Sequence, residues 1–133
     1  MIKFKAFARC ILGLFFIIAG FGHFYMPEFY LRMMPAYLPL PYFLIYLSGL
    51  CEIAIGVCCF IQSKYKIAKW GAIALLIAVF PANIHMAMHP ELFPEFPDYG
   101  LWIRLPFQAV FIVWVLFSFS NSDSELLKKS RLI

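Results

Sequence analysis

Four long apolar runs, at residues 6–24, 42–61, 68–86 and 101–119, alternate with short charged or proline-rich connections. A helix rising ~1.5 Å per residue crosses a ~30 Å hydrocarbon layer in about 20 residues, so each run can span alone. The runs are apolar on every side, whereas barrel strands would alternate polar and apolar positions. The pattern therefore predicts an all-α, integral membrane four-helix bundle, built as a single transmembrane domain over residues 1–133. The turn between the second and third runs is short, which makes those helices antiparallel neighbours. The first run follows Lys3, Lys5 and Arg9 as a signal peptide would, but it continues past Gly20 without a small-residue cleavage site and reads as a retained helix.

Composition strengthens this picture. Hydrophobic residues make up 64% of the chain and charged residues 14%, with mean hydropathy +0.85. A soluble domain holds roughly 45–50% and about 25%. The net charge of +4 would suggest a nucleic-acid partner if it formed one patch, but it does not. The basic residues fall instead at the ends of apolar runs, as Lys3, Lys5 and Arg9, then Lys64, Lys66 and Lys69, then Lys128, Lys129 and Arg131. By the positive-inside rule that side is cytoplasmic, so both termini are expected there, in a multi-pass protein of the cell membrane. The other side carries Glu28, Glu91, Glu95 and Asp98, with Arg32 as its clear basic residue. Cys10, Cys51, Cys58 and Cys59 lie in or beside apolar runs and read as free buried thiols rather than a disulfide framework.

The outer connections, 25–41 and 87–100, are rich in proline and aromatics. Proline at this density prevents long helices and lowers the entropy lost on ordering, so these loops should lie on the bundle or in the headgroup layer. A short interfacial helix is expected over 27–34. Tyr25, Tyr37, Tyr42, Phe96, Tyr99 and Trp102 would form the outer aromatic belt, and Trp70 belongs to the inner one. The segment 118–124 marks the exit into a short basic tail.

Polar residues at membrane depth carry the candidate chemistry. Glu52 sits midway along the second run, where an isolated acid costs about 2.5–3.5 kcal/mol, so it should face the interior and hold a proton or a donor. Ser48, Gly49, Gly56 and Cys59 share its face, and the small ones permit a close neighbour. His23 follows Gly13 and Gly20 on one face of the first run. Pro81 cannot donate to the carbonyl of Ile77, so the third helix should kink there, with Asn83 and His85 beside the kink. Arg104 and Gln108 are four apart on the fourth run, flanked by Phe107 and Phe111. Arg104 either snorkels outward or turns inward as a counter-charge for Glu52 or a fork of donors for an oxygen-bearing ligand. Thus His23, Glu52, Asn83, His85, Arg104 and Gln108 converge on the outer half as the candidate ligand-binding set, and the inner half reads as plugged by apolar side chains. His23, Glu52, His85 and His89 suit zinc or iron by type, but no Glu-x-x-His or Cys-x-x-Cys occurs, and no metal is expected.

The stretches GFGHF at 20–24, MPAYLPLP at 34–41, YLSGLCEIAIG at 46–56, FPANIHM at 80–86 and RLPFQ at 104–108 touch all four spans. On these residues the chain resembles the DoxX-like family of small four-helix membrane proteins. That resemblance implies the same fold and topology, and it makes a quinone the first candidate cofactor and a redox-enzyme subunit the first candidate partner. The leading expectation is a membrane protein that binds a quinone or other small lipophilic molecule, accessory to a redox or stress-related system. Whether it is an enzyme is left open. The alternative is a non-catalytic membrane assembly or interaction protein whose buried polar residues specify helix packing, with membrane lipid and copies of itself among its contacts. A docking role would leave an apolar outer patch near Phe29, Met33 and Phe93. An open cavity among the polar residues would favour a ligand, and direct side-chain pairing would favour packing.

Overall fold

The computed structural model describes residues 2–120 and 128–132. The exit segment at 121–127 lies outside them. Six helices account for most of the described chain: α1 (Ile2–Tyr25), α2 (Pro27–Met33), α3 (Pro41–Cys58), α4 (Tyr65–Ala78), α5 (Phe80–Met88) and α6 (Asp98–Ser118). Four helical stretches are long and apolar enough to cross a membrane, with α4 and α5 together forming the third. Helices α1, α3, α4 and α6 close a ring in which each packs on its two ring neighbours, so the described chain is an all-α bundle. Its large outward-facing apolar side chains, among them Phe7, Ile18, Phe43, Ile77 and Val113, match a lipid surround better than water.

The expected short helix over 27–34 is α2, which opens at Pro27, where a missing N–H costs nothing. The expected kink appears as a one-residue interruption at Val79: α4 ends at Ala78 and α5 restarts at Phe80 with Pro81 in its first turn, while hydrogen bonds from the Val79 N–H to the Leu75 carbonyl and from the Asn83 N–H to the Val79 carbonyl bridge it. One connection is strained. Leu40, between two prolines, takes the left-handed conformation (φ 49°) that turns the chain into α3.

The seam between α1 and α3 is the most extensive in the bundle. A Cβ placed on Gly20 would lie 2.6 Å from the Gly49 carbonyl oxygen, and one on Gly49 would lie 2.9 Å from the Gly20 carbonyl oxygen. Gly13 and Gly56 repeat the relation two turns away, at 2.9 and 2.7 Å. The two backbones therefore touch, as small residues on both faces allow where apolar association with lipid offers no driving force. The glycine stripes legible in the sequence are this seam.

The bundle is filled differently at its two ends. Toward the basic end, Leu12, Phe16, Ile55, Cys59, Ala68, Ala72, Val115 and Phe119 form a dry core. Lys5 donates to Ser120 Oγ at 2.6 Å, and Arg9 donates to the Ser118 carbonyl at 2.8 Å while its guanidinium covers the Tyr65 ring. The expected plug is this core. Of the four cysteines only Cys59 is buried, whereas Cys10 and Cys51 face outward, because the glycine seam occupies the inward faces of α1 and α3.

At the proline-rich end, Met33, Met86, Ala87, Phe93 and Leu101 make a second small core. Arg32 clasps the 90–97 connection from α2, donating to the Leu92 carbonyl at 2.7 Å and to both Glu95 oxygens at 2.7 and 3.3 Å, with Phe29 and Phe93 against its guanidinium. The hydrogen bonds from Arg32 hold the Glu95 carboxyl below its ordinary 4.5.

Two outcomes follow. Gly20→Ala and Gly49→Ala each force the seam apart and should cost about 1–3 kcal/mol, read as a lower melting temperature in mild detergent, whereas Gly100→Ala, facing only Pro97, should cost far less. Glu95 should titrate below 4.5 in the folded protein by carboxyl NMR and return to the ordinary range in Arg32→Gln. Since the folded carboxyl is the more acidic state, its contribution is complete above the ordinary range and fades as pH falls through the lowered value.

Candidate functional site

Between the two cores the helices do not fill the bundle. A cavity of about 360 Å³ opens there, reached by every helix. Its walls are apolar, chiefly Phe15, Leu44, Val79, Phe107 and Phe111, and Met33, Met34 and Tyr30 close it from the α2 side. Five of the six expected site residues border it: His23, Glu52, Asn83, Arg104 and Gln108.

His23 is buried on α1 because the glycine seam draws that face against α3. Its Nδ1 lies 3.0 Å from the Ile45 carbonyl oxygen, and since a carbonyl only accepts, Nδ1 carries the hydrogen. Nε2 then faces Glu52 Oε2 at 3.3 Å, an ion-pair separation without hydrogen-bond alignment. Glu52 thus meets the need of a carboxyl at membrane depth, but through His23. No ion pair joins it to Arg104.

Asn83 and Gln108 pair directly. Asn83 Nδ2 donates to Gln108 Oε1 at 2.7 Å, and Gln108 Nε2 donates to the Leu76 carbonyl in a short contact. The acceptor freed by the helix break is therefore used by a neighbouring helix, at Leu76 rather than at Ile77, because the break falls at Val79, two residues before the proline.

His85 is not brought to the cavity. It sits one helical turn from His89, and the two rings stack with centroids 4.2 Å apart. His89 Nδ1 contacts the His85 carbonyl at 2.9 Å, and His85 Nδ1 is buried without a hydrogen bond. The half-turn advance from Asn83 to His85 carries the imidazole past the face that lines the cavity.

Arg104 does face the cavity. Among the described residues its guanidinium has no hydrogen bond and no ion pair. Phe107 and Phe111, expected to pack around it, both line the same space.

Tyr30 was not legible as a site residue. It reads as apolar surface on a loop, yet α2 folds back so that its ring stacks on His23, with centroids 3.9 Å apart and planes within 21°. Burial raises its phenol above the ordinary 10.0, with a smaller push from Glu52 and an opposing pull from Arg104, so it stays a neutral donor. Its helical position five residues past Tyr25 gives no signal without the reversal at Met26.

Among the described residues no group of three or more His, Cys, Asp or Glu side chains is placed to hold a metal ion. Comparison with known proteins places the chain in a family without naming a reaction. No curated protein matches it, and no solved structure does. Residues 12–118, which include all four candidate spans in whole or in large part, match the family described as Domain of unknown function (DUF8561), and the chain belongs to that family.

Proposed function

We propose that this protein is a non-catalytic helical scaffold of the membrane whose buried polar residues specify how its helices pack. The observation that carries this reading is that the polar residues bond across helices: Asn83 on α5 to Gln108 on α6, Gln108 to the backbone of α4, and His23 on α1 to both Ile45 and Glu52 on α3. In lipid, such bonds choose one packing among many that are equally apolar. The basic end would face the cytoplasm by the positive-inside rule. The partner-docking form of this reading has less to rest on, because Met33 and Phe93 are buried in the second core and Phe29 packs against it.

The cavity favours a second reading, in which the scaffold holds a small lipophilic molecule. Its volume falls within the ~300–1,000 Å³ of ligand sites, and apolar walls with a few convergent polar groups are what such sites share. The likeness to the DoxX-like family narrows this to a quinone in a redox or stress-related setting, with Arg104 and Tyr30 donating to its oxygens.

The packing role is tested by a double-mutant cycle on Asn83→Leu and Gln108→Leu in unfolding from detergent. A coupling of about 0.6–1.7 kcal/mol is expected, and additive losses would remove the pair as a packing determinant. The binding role is tested by native mass spectrometry of gently extracted protein. Arg104→Gln should keep the fold, because Arg104 has no hydrogen bond or ion pair among the described residues to lose. A lipophile retained by wild type and depleted in this folded variant is the expected result; an empty wild type would leave packing as the only role.

A further inference from the structure

Arg104 presents to the cavity a guanidinium that makes no hydrogen bond and no ion pair among the described residues. Four titratable side chains face the space: His23 from α1, Tyr30 from α2, Glu52 from α3 and Arg104 from α6, while α4 and α5 supply Asn83 and apolar groups. Glu52 meets His23 Nε2 at 3.3 Å, so its ion-pair geometry is with His23 and not with Arg104. Tyr30 is a neutral phenol. The Arg104 guanidinium is half-buried and has no hydrogen bond and no ion pair among the described residues. A charge in such surroundings is costly until it is paired.

We propose that the cavity binds a monoanionic, single-chain lipophile whose carboxylate head sits on Arg104. This deepens the lipophile reading above and rests on it. A carboxylate matches the planar guanidinium fork through two parallel hydrogen bonds and cancels its one charge. A phosphate monoester would bring a charge of about −1.5 to −2, more than one guanidinium balances, and set it beside the Glu52 carboxyl. Size agrees with one chain. A cavity of about 360 Å³ lies near the lower end of the ~300–1,000 Å³ of small-molecule sites, which suits a short single chain. Phe107 and Phe111 flank the head position with apolar surface, and Phe15 and Leu44 continue the wall for the chain.

The test is calorimetric titration of the full chain in phosphatidylcholine nanodiscs at alkaline pH, with empty discs subtracted. The probes are decanoate, decan-1-ol and a short-chain benzoquinone. Decanoate should bind wild type about ten- to a hundredfold more tightly than decanol, the range of a charged hydrogen-bonded contact. Arg104→Gln should erase that preference while keeping decanol binding. Arg104→Lys should keep part of it, which preserves the test if the glutamine variant fails to fold. Ala19→Phe, which fills the cavity, should lose decanoate. Equal binding of decanoate and decanol, or a preference for the quinone, would overturn the carboxylate assignment and leave the lipophile reading standing. Undiminished decanoate binding in Ala19→Phe would place the anion elsewhere and overturn it too. If folded wild type binds none of the three, the lipophile reading itself falls.

Discussion

Backbone contact between α1 and α3 is the constraint on which the rest of the bundle depends. Helices in lipid gain little from hiding apolar side chains, so they associate where surfaces approach closely and polar groups meet. Gly13 and Gly20 supply the approach from one side, Gly49 and Gly56 from the other. The contact puts the Cβ of His23 within 2.7 Å of where a side chain on Gly49 would begin, and this aims the imidazole along α3 toward Ile45 and Glu52. A larger residue at the seam would uncouple the acid from its histidine. The acid would then remain at membrane depth without its neighbour, a situation that raises the cost of folding well beyond the lost packing.

Given that seam, the two ends of the molecule divide the work of stability and of accommodation. The dry core around Leu12, Ile55 and Val115 fills one end, with Lys5 and Arg9 tying α1 to the end of α6. The other end is capped rather than filled: α2 and the 90–97 connection lie across it, joined through Arg32. The cavity lies where filling stops and capping begins. Its polar members are thus partly consumed by helix contacts and partly turned toward open space, and packing and binding are compatible uses of the same residues.

Much of the fold was legible in the sequence because lipid imposes simple rules on length and polarity. Run lengths set the spans, the small residues of α1 and α3 marked the seam, and Pro81 marked the break. The site was legible less evenly. Glu52, His23, Asn83, Gln108 and Arg104 stood out because polar groups in apolar runs need partners, and all five border the cavity. Their pairing was not legible: Arg104 was open between snorkelling, a counter-charge for Glu52 and a fork of donors for a ligand, whereas the glycine seam brings His23 to Glu52. His85 lies away from the cavity because a helix turns about 100° per residue, so two positions past Asn83 is a different face. Tyr30 was invisible because its place depends on a chain reversal whose direction no local pattern encodes.

The break between α4 and α5 has a consequence of its own. Val79 keeps right-handed helical dihedrals (φ −87°, ψ −4°), and hydrogen bonds from its N–H to the Leu75 carbonyl and from the Asn83 N–H to its own carbonyl carry the helix across the interruption, while Gln108 takes the Leu76 carbonyl from a third helix. One wall of the cavity is thus shaped both by a proline-bent backbone and by a side chain reaching in from a neighbouring helix.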